Sequence, residues 1–139
     1  HDAGKGSYCI SEWTGSSWWD TDNDSYFTEY YQDQSRYWKQ YSSSPGDVPV
    51  FSDGNWIGAW PDNANYVPRD FKFGNYPTAE PAGQLGRLAL DRHDMSVNVA
   101  FIGGQVQKVD LKDLWTLKWT RVSKPDYDPL LQGGGSPDW

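Results

Sequence analysis

The chain has 139 residues and a formal net charge of −7, from 19 acidic and 12 basic side chains. That length supports one domain with a modest core, and the acidic balance argues against nucleic acid or an anionic membrane surface as partner. The one cysteine, Cys9, excludes an intrachain disulfide and a cysteine-based metal site, and no run reaches the ~18–20 apolar residues of a membrane helix.

Residues 1–27 are rich in Gly, Ser, Asp and aromatics without a sustained period, and read as loop with a strand over Ser7–Trp13. The segment 28–41, TEYYQDQSRYWKQY, places Tyr30, Tyr31, Tyr37, Trp38 and Tyr41 at helical spacing, which predicts a short amphipathic helix. The β-propensity of those rings competes with it. SSSPGD at 42–47 is a turn, and Val48–Ser52 a strand in which Pro49 marks a sheet edge or a strand start. Residues 53–84 read as a long loop packed by its own aromatics, among them Trp56, Trp60, Tyr66, Phe71, Phe73 and Tyr76. Gly86–Asp91 reads as a short strand. Val97–Ile102 and Gln105–Val109 form a hairpin across Gly103-Gly104, expected as a two-residue type I′ turn. Asp110 is an expected N-cap, with Asp113 in the first turn of a helix LKDLWTLKW that runs to about Trp119 or Arg121.

The domain spans 1–124, and a Pro/Gly-rich arm spans 125–139. The expected class is α+β: a small antiparallel sheet with short helices and long aromatic-rich loops. Nine Trp, nine Tyr and five Phe predict a core built on rings, with further rings at the surface. The polar start at His1 reads as a processed N-terminus, which fits an exported protein; no signal peptide is recognised.

No spacing marks a catalytic constellation: there is no G-x-S-x-G, no H-E-x-x-H and no phosphate loop. Glu12, Glu29 and Glu80 are the only glutamates, and nothing marks a glycosidase pair. The chain is therefore expected not to be an enzyme and to need no cofactor. Asp20, Asp22 and Asp24 share the opening spacing of a calcium loop, but Ser25 and Tyr31 stand where an EF-hand has Gly and Glu. A looser calcium site there is the alternative to a solvated acidic turn. His1 and His93, the two histidines, would together supply the nitrogens of a copper brace. Trp18-Trp19 and Trp56/Trp60 are candidate sugar-stacking rings. Trp18, Trp19, Trp56, Trp60, Tyr127 and Trp139 are equally candidates for subunit contact.

His93, nine residues and then Gly103-Gly104 closely resembles the C-terminal H-X9-DG signature of bacterial prepilin-like proteins of the type II secretion and type IV pilin kind. VNVAFIGGQVQKVDLKDLWTLKW at 97–119 is similar to their "GxLKxLWxLKWHR" ends, GSYCISEW at 6–13 to "GSYGINxW", and DVPVFSDGNWIGAWPDN at 47–63 to "IPVFLDxxWxxGWP". The resemblance covers about residues 6–121. It implies a pilin-like head whose sheet packs near a long N-terminal helix, an extracellular or cell-surface location, and work by self-association or by binding a helix-bearing partner. The chain departs from the pattern in two ways. The hydrophobic helix is absent, so the expectation is a separated head, a helix supplied by a partner chain, or a released member. Gly103 replaces the family's Asp, an exchange between turn formers expected to leave the fold intact.

Overall fold

The structure, a computed structural model, describes residues 7–14, 33–65, 67–68, 71 and 81–123. Among the described residues, five strands form one sheet: β1 (Ser7–Ser11), β2 (Pro49–Gly54), β3 (Gly58–Ala59), β4 (Ser96–Phe101) and β5 (Val106–Asp110), in the order β3-β1-β2-β4-β5. All neighbours are antiparallel except β1 and β3, which run parallel. The sheet is therefore mixed, not purely antiparallel as the sequence suggested. With four short 3-10 helices around it, the layout is that of a small α+β domain.

Strand alternation sends Cys9, Ser11, Ser52, Val97, Val99, Phe101 and Val109 to one face, all buried. Against them lie Trp13, Leu85, Leu88, Leu111, Leu114, Trp115 and Trp119, as one core. A ring-built core must satisfy its indole N–H groups. Here backbone carbonyls do so: Trp13 Nε1 donates to Pro61 O (2.6 Å), Trp115 Nε1 to Asn65 O (2.7 Å) and Trp119 Nε1 to Leu114 O (2.7 Å). Trp13 also meets Tyr37 edge-on at 5.0 Å.

Five expectations are corrected. Residues 33–41 do not form an α-helix. Asp33 accepts the Ser35 N–H and starts a 3-10 turn over Gln34–Arg36, after which the chain is extended at Tyr37. Trp38 then donates its N–H to Trp13 O at 2.7 Å, in a bridge between Thr14 and Trp38. Extended backbone sends neighbouring rings to different places, Tyr37 into the core and Trp38 over Trp119 O, so β-propensity wins over the helical period.

Gly86–Asp91 is not a strand. Pro81–Arg87 is a 3-10 helix, and the chain after it stays off the sheet, with Leu88 and Ala89 N–H both returned to Leu85 O. Residues 83–90 are all buried, a demand that a coiled segment meets and an alternating edge strand does not.

The C-terminal helix is a 3-10 helix, Leu111–Thr116, shorter than expected. Competition for its carbonyls ends it. Asn63 Nδ2 donates to Trp115 O and Leu117 O, and Trp119 Nε1 takes Leu114 O. Asp110 occupies the N-cap position without a side-chain cap bond, and Asp113 does lie in the first turn.

The hairpin forms as expected, but its turn is a three-residue loop over Ile102, Gly103 and Gly104. Gly104 N–H donates to Phe101 O (2.9 Å) and Phe101 N–H to Gln105 O (3.0 Å). Gly104 alone of the pair has positive φ, at 88°. That is the type I turn with a G1 bulge rather than type I′.

The first two strands follow the sequence. The N-terminal strand is β1, and Pro49 opens β2, a central strand and not an edge. Residues 53–84, expected as one long loop, instead include the end of β2, the short β3 and the start of the Pro81–Arg87 helix; the described remainder is tied down by buried Asn65 and Gln84. Leu85 N–H donates to Asn65 Oδ1, and Trp60 N–H to Gln84 Oε1. The arm 125–139 lies outside the described residues.

Cys9 is buried, and desolvation pushes its thiol from 9.0 up to about 12, against the pull of Arg87. In the unfolded chain the thiol ionises above its ordinary value while the native state keeps the proton, so stability is unaffected below about pH 9 and falls as pH rises toward 12. Tyr37, raised from 10.0 mainly by burial, adds to the loss in the same direction. Urea midpoints measured at pH 8 and pH 10.5 should fall with pH, and less steeply in Cys9→Ala; identical slopes would refute the assignment.

Candidate functional site: the open sheet face

The other face of the sheet carries large apolar side chains. Ile10 faces Phe51, Phe51 faces Ala100, and Ala100 faces Val106, so one row in register crosses β1, β2, β4 and β5. Ile10 is 38% exposed, Phe51 45% and Val106 67%; Tyr8, beside the row on β1, is 74% exposed. Scattered exposed hydrophobics are normal, but a contiguous row marks a contact surface. Next to it runs a polar row, Tyr8, Asp53, Asn98 and Lys108.

His93 closes this polar side. Its Nε2 lies 3.1 Å from Asp53 Oδ2 and 2.9 Å from Asn98 Nδ2, while Asn98 backbone N–H donates to the same Asp53 oxygen at 2.8 Å. A carboxylate only accepts, so a hydrogen bond to Asp53 uses a proton on Nε2. The loop holding His93 is strained: Asp94 and Met95 have φ of 60° and 55°. Each such residue costs about 1–3 kcal/mol. Met95 N–H to Asp91 Oδ1 (2.7 Å), Ser96 Oγ to His93 O and Leu111 N–H to Met95 O (2.9 Å) hold it.

At the far end of β4, Gly103 N–H donates to Gly46 O and Ile102 N–H to Val48 O, both at 2.9 Å. The signature residues thus pin the two ends of β4 to the two ends of β2, and the nine-residue spacing is the length of β4 with its flanks. With Gly103 in place the hairpin is intact. A Cβ there would lie 3.0 Å from Gly46 O and 2.5 Å from Gln105 Oε1, so close backbone approach favours glycine.

Of the residues singled out from sequence, His93, Gly103 and Gly104 are brought into this frame. Trp60, a contact candidate, is buried in the core instead, and Trp56, 39% exposed, has the Arg87 guanidinium 5.7 Å over its ring. That pair offers no shared platform for a sugar. Trp18, Trp19, Asp20, Asp22, Asp24, Tyr127, Trp139 and His1 lie outside the described residues. Among the described residues, no group of three or more His, Cys, Asp or Glu is placed to hold a metal, and no helix is long and apolar enough to cross a membrane. Sequence reading missed Tyr8, Ile10, Phe51 and Val106. The available signal was the order of SYCIS, in which the bulkier apolar residues alternate with Cys9 and Ser11.

Searches for relatives gave nothing: no protein-family model, curated protein or solved structure matches the chain.

Proposed function

We propose that this chain is the head domain of a pilin-like or pseudopilin-like structural subunit, exported to the cell surface, that works by association and not by catalysis. The observation that carries the reading is the apolar row Ile10–Phe51–Ala100–Val106 on the open sheet face. The signature around His93 and Gly103-Gly104 supports it, because the residues that carry the resemblance are the ones that hold β4 and so keep the row in register. Four strands at ~4.8 Å spacing make the row about 14 Å long, room for roughly two and a half turns of a helix laid along it. Small Ala100 between Phe51 and Val106 leaves the dip such a helix would fill.

The test is electron microscopy and size analysis of native material beside a Phe51→Glu variant. Phe51 is half-exposed, so the substitution should shift the head's melting temperature by no more than a few degrees. Native protein should form filaments and the variant should not. Filament-free monomer in native extracts, or normal assembly of Phe51→Glu, would count against the reading.

A further inference from the structure

We infer that β5 pairs with β5 of a second copy of this chain, antiparallel about a twofold axis at Val109. The inference extends the assembly reading but does not depend on it, since the edge of the sheet and its face are separate surfaces.

β5 is an outer strand of the sheet, and Val106, Gln107 and Lys108 along it are exposed. Its bonding direction follows from the register. Phe101 and Gln105 close the hairpin with a hydrogen bond, and Leu111 N–H reaches Met95 O at the other end. Counting in twos, Gln107 and Val109 bond inward to Val99 and Val97. The N–H and C=O groups of Val106 and Lys108 and the N–H of Asp110 therefore point out of the edge, as a template for another strand, while the Asp110 carbonyl also opens the 3-10 helix.

The charges select the occupant and the register. Lys108 and Asp110 lie two apart, with side chains on the open face, and among the described residues neither has an ion pair or side-chain hydrogen bond. A lysine on an edge strand ordinarily repels pairing. That holds here for the register centred on Lys108, which sets lysine opposite lysine. Centring on Val109 instead sets Lys108 opposite Asp110 of the second copy, and Asp110 opposite its Lys108. Both then fall at hydrogen-bonding positions, with each Asp110 N–H free to donate to Lys108 C=O of the other copy. Opposite charges directly across a ladder stabilise it and like charges weaken it. The chain turns into its 3-10 helix at Leu111, so the ladder is short and the association weak and reversible. A two-fold contact of this kind is self-complementary and closes on itself.

Sedimentation equilibrium of the full chain tests this. The wild type should form a reversible dimer. Lys108→Glu and Asp110→Lys, each alone, place like charges opposite in both pairs and should weaken it roughly tenfold. The double variant Lys108→Glu/Asp110→Lys restores both pairs and should return within about twofold of wild type. Asp110 makes no cap bond, so its exchange spares the fold. A wild type monomeric at about 1 mM, single variants that dimerise like wild type, or a double variant that does not recover would overturn the pairing. Phe51→Glu should leave this dimer unchanged; if it alone abolishes dimerisation, the contact belongs to the sheet face and the edge pairing is wrong.

Discussion

Replacing Trp115 with alanine is expected to cost about 4–5 kcal/mol of folding stability, at the top of the range for a buried aromatic. Trp115 is fully buried in the core beside Leu111, Leu114 and Trp119. Its truncation would open a large cavity in a packed region that cannot collapse. It would also strand Asn65 O, which accepts from Nε1 at 2.7 Å, and a buried carbonyl left without its donor costs roughly 1–3 kcal/mol. Asn65 in turn receives Leu85 N–H and Asp62 N–H, so the loss reaches the 3-10 segment over the sheet and the 61–65 loop. With total stability of about 5–15 kcal/mol for a domain of this kind, Trp115→Ala should be near the limit of folding. Trp115→Phe separates the two contributions: it keeps most of the ring volume and loses the N–H, so about half the cost is expected. Chemical denaturation of both variants is the measurement. A loss below about 2 kcal/mol for Trp115→Ala would mean that Trp115 is not the keystone described.

How much of this was readable in advance depends on where the decisive contacts lie in the chain. The hairpin was legible because its pattern is local: alternating Val97, Val99 and Phe101, a glycine pair, then Val106 and Val109. β1 and β2 were legible for the same reason. The helix expected over 28–41 failed, in its described part, because Tyr37 and Trp38 are placed by partners far away in sequence, Trp13 and the Trp119 carbonyl. No window around residue 37 contains that information. The C-terminal helix failed in length because Asn63 takes its carbonyls from a distant loop. The turn type was missed because Gly103-Gly104 fits two turn geometries, and only the approach of Gly46 decides between them.

The candidate site divides in the same way. His93 and the glycine pair were visible as a signature, but their partners Asp53 and Gly46 sit on β2 and in the turn before it, 40 or more residues upstream. Their meaning, two clamps on one strand, needed the sheet order. Of the apolar row only the β1 part left a signal, in the alternation of SYCIS. Ile10, Phe51, Ala100 and Val106 come from four separate strands, and each alone is an unremarkable exposed or half-exposed residue. Only the register β1-β2-β4-β5 lines them up.

That register rests on a close approach at the end of β2, and the second large effect is expected there. Gly54→Ala should destabilise the protein by about 3 kcal/mol, within and toward the top of the range for overpacking. A Cβ on Gly54 would fall 2.5 Å from Cys9 Cβ and 3.1 Å from Arg87 O. Neither atom is the free end of a flexible side chain. Cys9 Cβ rides on β1, and the Arg87 carbonyl is held by Asn55 N–H at 3.0 Å. Relief must therefore come from spreading β1 from β2, which also draws Tyr8 and Ile10 away from Phe51 on the open face. The two sites are close enough to couple. Because the collision is with Cβ itself, Cys9→Gly should recover part of the loss caused by Gly54→Ala, whereas Cys9→Ala, which removes only the sulfur, should recover little. Urea unfolding of the two double-mutant cycles, one with Cys9→Gly and one with Cys9→Ala, gives the coupling energies directly. A Gly54→Ala protein within about 0.5 kcal/mol of wild type, or equal rescue by Cys9→Ala and Cys9→Gly, would show that β1 and β2 are not in contact in this way. Loss of assembly by Gly54→Ala at temperatures where the domain remains folded would tie the spacing of these two strands to the apolar row they present.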